Sequence, residues 1–370
     1  MQYRDFGNTG IKVSALGFGA MRLEMDGDHV DFDKSGEAIA RAFDLGVNYI
    51  DSAVGYCKNE SEIAVGKALK GRRDKVYVST KNPDRSGDAV EWRKLLDQSL
   101  ERMDIDYLDF YNFHGLRWNN YVDVLSKPGG PMDEMRKAHD EGIVKHMCFS
   151  CHDTVGNIRK MIDLDLFAGM TVQYNLLDRH NEEVIAYAHE KGMGVVIMGP
   201  LAGGSLAMVT PQLQEMLPES IASTPELALR FVLANPNVSL AISGMNAVDM
   251  VEENCRTAAR TEELSPEELD NIMAAANECY RLSQLYCTGC EYCMPCPQNV
   301  AIADMLRLMN YHRIYGLTKY AQNRYAMYKT WDLKKDASAC IECGECEEKC
   351  PQNIEIVKQL KETRGALEVK

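Results

Sequence analysis

The sequence predicts an α/β protein that combines a closed TIM (β/α)₈ barrel with a small α-helical C-terminal domain rich in cysteine. Short β-rich runs alternate with amphipathic helical stretches, and these strand–helix units number eight, as barrel closure requires. The second domain is indicated by the 13 cysteines, eight of which fall in two short C-terminal runs. We therefore expect the barrel over residues 1–282 and the cysteine-rich domain over residues 283–370.

The predicted elements follow from hydrophobic periodicity and from residues that start or stop helices. The strands are predicted at residues 15–19, 47–51, 76–80, 107–113, 144–149, 170–174, 194–198 and 238–243. The helices are predicted at residues 36–45, 61–69, 90–103, 132–141, 155–164, 182–191, 225–234 and 266–282. Thr224-Pro225 and Ser265-Pro266 each place an N-cap residue before a proline, which is typical of a helix start.

The segment before the first strand, residues 1–13, is predicted to be a hairpin that closes the bottom of the barrel. A doubly wound sheet is the alternative to a barrel, but no G-x-G-x-x-G motif follows the first strand. Between the cysteine runs we expect a helix around residues 302–308 and an aromatic-rich helical stretch over residues 311–331.

Net charge and apolar patterning exclude several classes of function. The formal net charge of −14 argues against nucleic acid as a partner, because phosphate binding needs clustered Lys and Arg. No run approaches about 18 uninterrupted apolar residues, so we expect no membrane span. The polar start, Met1-Gln2-Tyr3-Arg4-Asp5, does not look like a secretion signal. We therefore expect a cytoplasmic protein, in which closely spaced cysteines favour metal binding over disulfides.

Four polar residues fall at the carboxyl ends of three successive predicted strands, where active sites of such barrels lie. Asp51 ends the second strand, and Tyr56 follows on its loop. Lys81 ends the third strand, and His114 ends the fourth. These groups suit carbonyl reduction, because hydride addition to a carbonyl carbon creates an alkoxide that needs a proton. Tyr56 would supply that proton, Lys81 would lower the pKa of Tyr56, and Asp51 would hold the ammonium group. His114 would donate a hydrogen bond to the substrate oxygen.

Each of these residues has a structural explanation when taken alone, as a turn former, a packed ring or a solvated charge. Together they resemble the catalytic tetrad of the aldo-keto reductases, and the surrounding segments at residues 46–53, 79–81 and 108–114 match that family as well. The resemblance covers roughly residues 1–280. It implies a (β/α)₈ barrel that binds NADP or NAD in an extended pose and reduces a small carbonyl substrate, with Tyr56 as general acid.

The same resemblance implies positions for the nucleotide. These are Ser150 and Gln173 at the carboxamide, Gly199, Pro200, Leu201 and Gly203 beside the pyrophosphate, and Ser243, Asn246 and Asn254 around the adenosine end. Cys151 replaces the asparagine that usually follows the serine. The adenosine segment has no Lys or Arg for a 2′-phosphate, so the choice between NAD and NADP stays open, and a degenerate nucleotide site is the alternative.

The two cysteine runs have the spacing of iron–sulfur ligands. The second is Cys340-x₂-Cys343-x₂-Cys346-x₃-Cys350-Pro, the bacterial ferredoxin pattern in which the fourth cysteine binds the other cluster. The first is Cys287-x₂-Cys290-x₂-Cys293-x₂-Cys296-Pro, one residue shorter. We therefore expect two 4Fe–4S clusters, one on Cys340, Cys343, Cys346 and Cys296, the other on Cys287, Cys290, Cys293 and Cys350. Zinc is the alternative metal.

The C-terminal domain resembles a dicluster ferredoxin-like module, and aldo-keto reductases with such an extension form a known subgroup. The five other cysteines, Cys57, Cys148, Cys151, Cys255 and Cys279, are expected to be small buried hydrophobes. Two loops, at residues 115–130 and 203–223, should shape the substrate pocket, with Trp118, Tyr121 and Leu206 as apolar lining.

The fusion leaves three hypotheses for function. The first is an NAD(P)H-dependent carbonyl reductase whose clusters are structural or redox-sensing. The second is an enzyme that relays electrons between a ferredoxin-like partner and the barrel. Because a nicotinamide delivers two electrons and a cluster accepts one, that relay needs a converter such as a flavin, for which the sequence shows no fingerprint. The third is a redox sensor or binding module without catalysis.

Overall fold

The computed structural model describes residues 1–208, 210–215, 217–218, 220–260, 264–284, 293–329, 335–350 and 353–369. They form two compact units. The barrel unit comprises Met1–Gly203 and Pro225–Leu264, and the C-terminal unit comprises Gly204–Thr224 and Ser265–Lys370. This grouping differs from the predicted boundary at residue 282. Within the C-terminal unit, helix 266–284 packs on helix 302–315, and the Thr210 hydroxyl donates to the Tyr315 carbonyl oxygen at 3.0 Å.

The strands are short, and most belong to one sheet. They are β1 (Tyr3–Asp5), β2 (Lys12–Ser14), β3 (Leu16–Gly19), β4 (Met25–Asp26), β5 (His29–Val30), β6 (Tyr49–Asp51), β7 (Tyr77–Asn82), β8 (Leu108–Phe113), β9 (Val144–Ser150), β10 (Gly169–Gln173), β11 (Gly194–Met198) and β12 (Leu240–Ser243). Eight of them, β3 and β6 to β12, close into a barrel in chain order, and the neighbours pair in parallel. The predicted (β/α)₈ barrel is confirmed, and every predicted strand overlaps an observed one.

Helices connect the barrel strands and build the C-terminal unit. They are α1 (Phe32–Asp44), α2 (Ser61–Leu69), α3 (Ala89–Met103), α4 (Trp118–Asn120), α5 (Pro131–Asp140), α6 (Val155–Ile162), α7 (Glu182–Glu190), α8 (Pro211–Gln214), α9 (Thr224–Ala234), α10 (Val248–Ala259), α11 (Pro266–Gln284), α12 (Ile302–Tyr315), α13 (Thr318–Tyr328), α14 (Glu345–Glu348) and α15 (Ile356–Leu367). Helix α11 begins with the predicted cap. The Glu268 amide donates to the Ser265 hydroxyl, and the Ser265 amide donates to the Glu268 carboxylate, a capping box.

The helix after the last barrel strand differs from the prediction. The sequence analysis paired strand 238–243 with helix 266–282, whereas α10 follows β12 directly and packs against α1. Segment 243–254 was interpreted only as a nucleotide-binding loop, so the helix that begins at Val248 was missed. Helix α11 instead belongs to the C-terminal unit.

The N-terminal hairpin lies where the sequence predicts it, at the bottom of the barrel. Strands β1 and β2 pair antiparallel, and Phe6 between them is 1% exposed. The Phe6 ring lies 4.3 Å from the ring of Phe110. A Cβ atom on Gly169 or Gly194 would come within 2.6 Å or 2.3 Å of the Phe6 ring, so both strands need glycine at their amino ends.

The C-terminal unit has a hydrophobic core of its own. Side chains from α12, α13 and α15 form it, including Met305, Tyr325 and Leu360, each at most 2% exposed. Cys346 belongs to this core, and Cys293, Cys296, Cys340 and Cys350 pack against it. The described cysteines of both runs, except Cys343, therefore lie in or against this helical core. In the part of the chain that the structure describes, no helix is long and apolar enough to cross a bilayer.

Candidate active site

The four candidate catalytic residues converge at the carboxyl ends of three adjacent barrel strands. Asp51 is the last residue of β6, and Lys81 lies at the end of β7. His114 follows β8 directly, and its amide donates to the Asn82 carbonyl oxygen at 2.9 Å. Tyr56 begins a short 3₁₀ turn beyond β6. Because β6, β7 and β8 are neighbours in the barrel, the side chains meet at one mouth.

Lys81 and Asp51 form a buried ion pair, with side chains 2% and 3% exposed. The ammonium donates to the Asp51 carboxylate and, at 2.7 Å, to the Ser52 carbonyl oxygen. Burial lowers the pKa of Lys81, but the Asp51 carboxylate and Tyr56 raise it more, so the net direction is upward. Lys81 therefore keeps its positive charge inside the barrel.

Tyr56 lies beside this ammonium, whose nitrogen is 5.1 Å from the centre of the phenol ring. Burial raises the pKa of Tyr56, and the Asp51 carboxylate adds to that rise, while Lys81 acts in the opposite direction through its charge and a hydrogen bond. The net direction is upward. Lys81 therefore lowers the pKa of Tyr56 as predicted, but desolvation outweighs this effect. Tyr56 stays protonated at neutral pH and can donate a proton.

His114 faces Tyr56 edge-on, with ring centres 5.7 Å apart. Burial, with smaller contributions from the charges of Lys81, Arg85 and His152, lowers the pKa of His114 to about 4. The ring is therefore neutral at pH 7. Among the described residues, its Nδ1 atom is buried without a hydrogen-bond partner. A neutral imidazole in this position can donate one N–H to an oxygen in the mouth.

Two further residues support the ion pair, and the sequence analysis did not identify them. The Ser79 hydroxyl donates to the second carboxylate oxygen of Asp51 at 2.9 Å, and the Asn112 amide donates to that hydroxyl at 3.1 Å. Both are buried. A signal was present in the sequence, because Ser79 and Asn112 each lie two residues before a candidate residue, and a strand places such positions on one face.

The predicted nucleotide positions lie on the other side of the barrel, at or after the carboxyl ends of strands β9 to β12. The Ser150 hydroxyl accepts from the Gly115 amide at 3.0 Å, and the Gln173 amide donates to the Asp178 carboxylate at 3.4 Å. Residues Gly199, Pro200, Leu201 and Gly203 lie just beyond β11. Ser243 ends β12 and accepts from the Asn254 amide at 3.3 Å, while Asn246 donates to Glu24 at 2.9 Å. The fold thus gathers the predicted positions at the same end of the barrel as the candidate tetrad.

Arg22 is a basic residue at this side that the sequence analysis missed. It lies on the loop after β3, and its guanidinium donates to the Gly203 carbonyl oxygen at 2.9 Å. Its side chain also lies 3.5 Å from the position that a Cβ on Gly244 would take. A cation thus reaches both predicted nucleotide segments from a distant part of the chain. A guanidinium, a hydroxyl and an amide form a donor set that fits a pyrophosphate or a ribose phosphate.

The predicted pocket loops divide between the two units. Trp118 and Tyr121 belong to the barrel unit and stack on each other with ring centres 6.0 Å apart. Leu206 is fully buried, and the segment from Gly204 to Thr224 belongs to the C-terminal unit. The role of these three side chains in a substrate pocket stays a prediction.

The cysteine runs meet in the C-terminal unit. A cavity that opens to solvent is lined by cysteines of both runs, namely Cys293, Cys296, Cys340, Cys343 and Cys346. Cys350 packs nearby on the helical core, and the predicted ligands Cys287 and Cys290 lie outside the described residues. Among the described residues, no three metal-binding side chains converge closely enough for a single ion. The donor set is all thiol, which suits iron–sulfur clusters or zinc.

The scattered cysteines are mostly buried thiols. Burial raises the pKa of Cys151 to about 12 and that of Cys255 to about 11, and it raises the pKa of Cys148 further still. These three behave as small hydrophobic side chains, as predicted. Cys57, next to Tyr56, is only half-buried. The side chain of Cys279 lies outside the described residues.

Comparison with known proteins bears on both units. The sequence profile of the "Aldo/keto reductase family" matches residues 15–277, and that of the "4Fe-4S dicluster domain" matches residues 286–355. L-galactose dehydrogenase of Arabidopsis thaliana is 28% identical over 71% of this chain and 90% of its own length. A probable voltage-gated potassium channel subunit beta of Oryza sativa is 26% identical over 77% of this chain and its full length. The solved holo form of an aldo-keto reductase from Bacillus halodurans is 28% identical, with a TM-score of 0.65 over 74% of this chain and 96% of that one.

Proposed function

This chain belongs to the aldo/keto reductase family, and on that premise we propose that it reduces a small carbonyl compound to an alcohol with NADPH or NADH. One observation carries the proposal: a protonated Tyr56 lies beside a buried Lys81–Asp51 ion pair and a neutral His114 at the barrel mouth. An acid, a cation and a neutral hydrogen-bond donor are the groups that carbonyl reduction needs.

The nicotinamide, when bound, supplies a hydride to the carbonyl carbon. As the C=O π bond breaks, negative charge develops on oxygen, and Tyr56 transfers its phenolic proton to that oxygen. The phenolate left on Tyr56 is stabilised by the Lys81 ammonium, which Asp51 holds in place. His114 orients the carbonyl through its N–H. Because Tyr56 is buried and its pKa is raised, it keeps its proton until the substrate oxygen becomes basic enough to take it.

Nine residues would hold the nucleotide, and Arg22 would assist them. Ser150 and Gln173 would bind the carboxamide, the segment of Gly199, Pro200, Leu201 and Gly203 would line the pyrophosphate, and Ser243, Asn246 and Asn254 would bind the adenosine end. Arg22 supplies positive charge next to Gly203, which favours binding of the phosphates of either nucleotide.

The C-terminal unit would bind two 4Fe–4S clusters with the ligand sets given above. Support comes from the cavity that Cys293 and Cys296 of the first run share with Cys340, Cys343 and Cys346 of the second. In the carbonyl reductase that we propose, the clusters stabilise the C-terminal unit or sense redox state. Thiolate ligands of this kind favour a reducing compartment, in agreement with the predicted cytoplasmic location.

The test is the variant Tyr56→Phe, which removes the acidic proton and keeps the ring. We expect the kcat for reduction of 4-carboxybenzaldehyde and its methyl ester to fall by about 10²–10⁴-fold, while the Kd for NADPH stays unchanged. Tyr187→Phe is the matched control, because Tyr187 donates to Asp163 on the exposed helical surface. Unchanged reduction by Tyr56→Phe would refute the proposed role.

The second candidate function is an electron relay between a ferredoxin-like partner and the barrel, and the shared cysteine cavity is the observation that favours it. It is tested by adding NADH or NADPH alone to the anaerobic protein and following the visible absorbance of the clusters. Bleaching would show that electrons pass from nicotinamide to iron, which requires a converter such as a flavin. Unchanged absorbance during aldehyde reduction would show that the barrel works alone.

A further inference from the structure

The first observation is the position of Arg85 beside the candidate tetrad. Its Nη2 atom lies 3.3 Å from the carbonyl oxygens of both His114 and Gly115. The same nitrogen lies 2.7 Å from the position that a Cβ on Gly115 would take, so the guanidinium rests directly on this turn. Its Nε and Nη1 atoms make no hydrogen bond within the described residues, and they remain available to a ligand.

The loop that carries Arg85 is held in shape by successive side-chain to backbone hydrogen bonds. The Asp84 amide donates to the Asn82 side chain at 2.9 Å, and the Ser86 amide donates to the Asp84 carboxylate at 3.2 Å. The Asp88 amide donates to the Ser86 hydroxyl at 3.1 Å, and Asp88 then caps α3. Arg85 is therefore presented from a fixed turn, which lowers the entropy cost of binding a ligand there.

Arg117 extends the positive charge along the same rim. It lies three residues beyond His114, and its charge acts on His152, which follows β9. The neighbouring carboxylate, Asp153, already accepts from the amides of Trp118 and Thr154 and from the side chain of Asn157. In the described ranges, no carboxylate lies within ion-pair distance of Arg85 or Arg117.

Arg85 and Arg117 lie apart from the predicted nucleotide positions. Arg85 and Arg117 follow β7 and β8, whereas the predicted nucleotide positions follow β9 to β12. In the closed barrel, β7 and β8 lie across the mouth from β11 and β12, where the phosphates are expected. The two arginines therefore face the space in which a substrate, and not the pyrophosphate, would lie.

We propose that the carbonyl substrate carries a carboxylate or similar anionic group, which Arg85 binds beside His114 while Arg117 attracts it from the rim. This inference rests on the proposed carbonyl reduction. Nε and Nη1 of Arg85 lie on different edges of the guanidinium, so an anion can accept one charge-assisted hydrogen bond from either of them while Nη2 stays on the turn. The same contact fixes the distance between the anionic group and the carbonyl carbon, and so selects substrates by length.

The experiment compares 4-carboxybenzaldehyde with its uncharged methyl ester, methyl 4-formylbenzoate. The wild-type protein is expected to favour the acid in kcat/KM by about tenfold or more, and Arg85→Gln is expected to lose most of that preference. Arg85→Lys should retain part of it, because it keeps the charge and loses the planar guanidinium that rests on the turn. Arg72→Gln is the control, since Arg72 lies at the opposite end of the barrel and pairs with Asp44. It should change neither rate.

Calorimetry with the product, 4-(hydroxymethyl)benzoate, supplies a second measurement that needs no turnover. Binding that is about tenfold weaker in Arg85→Gln supports the anion site. Equal affinity in the two proteins, or an acid-to-ester ratio that Arg85→Gln leaves unchanged, overturns it. If neither aldehyde is reduced, the proposed carbonyl reduction fails, while the calorimetric comparison still decides whether Arg85 binds an anion.

Discussion

At the scale of single residues, burial has more influence than neighbouring charge on the protonation of the candidate tetrad. Desolvation raises the pKa of Tyr56 although Lys81 is adjacent, and it is the largest cause of the low pKa of His114. Lys81 keeps its charge, because Asp51 compensates its burial. Within the tetrad, one cation therefore lies near two neutral side chains, and in the proposed reaction it would stabilise negative charge on the substrate oxygen or on Tyr56.

The low pKa of His114 predicts a specific dependence of stability on pH. The pKa of the imidazole is 6.5 in the unfolded chain and about 4 in the folded protein. Between these values the unfolded state binds more protons, so the free energy of unfolding falls as the pH falls from 6.5 to 4. Over the whole window the loss is about 3 kcal/mol.

The variant His114→Asn removes this titration. Urea unfolding at about pH 7 and about pH 5 should therefore show a smaller acid-induced loss of stability in the variant than in the wild type. Equal losses in both proteins would mean that the imidazole is already solvated, contrary to the structure.

At the scale of elements, the N-terminal hairpin is as much a part of the barrel core as the strands. Phe6 packs with Tyr49 and Phe110 in one buried cluster. Gly169 and Gly194 leave room for its ring. The bottom of the barrel is thus closed by a side chain from outside the sheet, and the reacting groups are confined to the carboxyl end.

Phe6→Ala is expected to destabilise the protein by about 3–5 kcal/mol, because it empties a fully packed site far from the mouth. Lys12→Ala in the same hairpin is the control. Lys12 pairs with Asp5 with both side chains largely exposed, so its loss should cost less than about 1 kcal/mol. Chemical unfolding measures both changes. A KM for aldehyde that shifts in Phe6→Ala would contradict the separation of the two barrel ends.

The sequence predicts elements better than it predicts contacts between them. Strand β11 was placed at its observed bounds, because a buried parallel strand is an apolar run between turn residues. The predicted helices do not include α10, although the predicted nucleotide residue Asn254 lies in it. The contact between Arg22 and Gly203 joins distant parts of the chain, and no periodicity in the sequence predicts it.

The candidate site likewise has features that the sequence predicts and features that it does not. Asp51, Lys81 and His114 could be predicted because each ends a strand, and strand ends meet in a barrel. The direction of the pKa of Tyr56 could not be predicted, because it depends on how deeply the phenol is buried.

At the scale of the whole molecule, the chain joins a barrel of the aldo/keto reductase family to a thiol-rich unit with its own hydrophobic core. Each cysteine run supplies residues to one cavity, so the two runs fold together around a shared space. Any cluster that spans both runs therefore also links segments 293–296 and 340–346 covalently, through its metal–thiolate bonds.

In the predicted ligand sets, each cluster takes its fourth cysteine from the other run. This exchange of Cys296 and Cys350 can be tested with matched variants. If Cys296 binds the same cluster as Cys343, then Cys296→Ser and Cys343→Ser should each lose the same electron paramagnetic resonance signal and about half of the iron. Cys287→Ser should lose the other signal. If Cys296→Ser instead resembles Cys287→Ser, each run holds its own cluster and the exchange is refuted.

The seating of Phe6 has a consequence for synthesis. Phe6 is translated before every strand of the barrel, yet the two glycines that accommodate it, Gly169 and Gly194, are translated long afterwards. The hairpin cannot reach its final position until β10 and β11 have emerged, so the nascent chain exposes an aromatic side chain through most of barrel translation. Closure of the barrel floor is thus a late event, and the partly made chain is exposed to aggregation until it occurs.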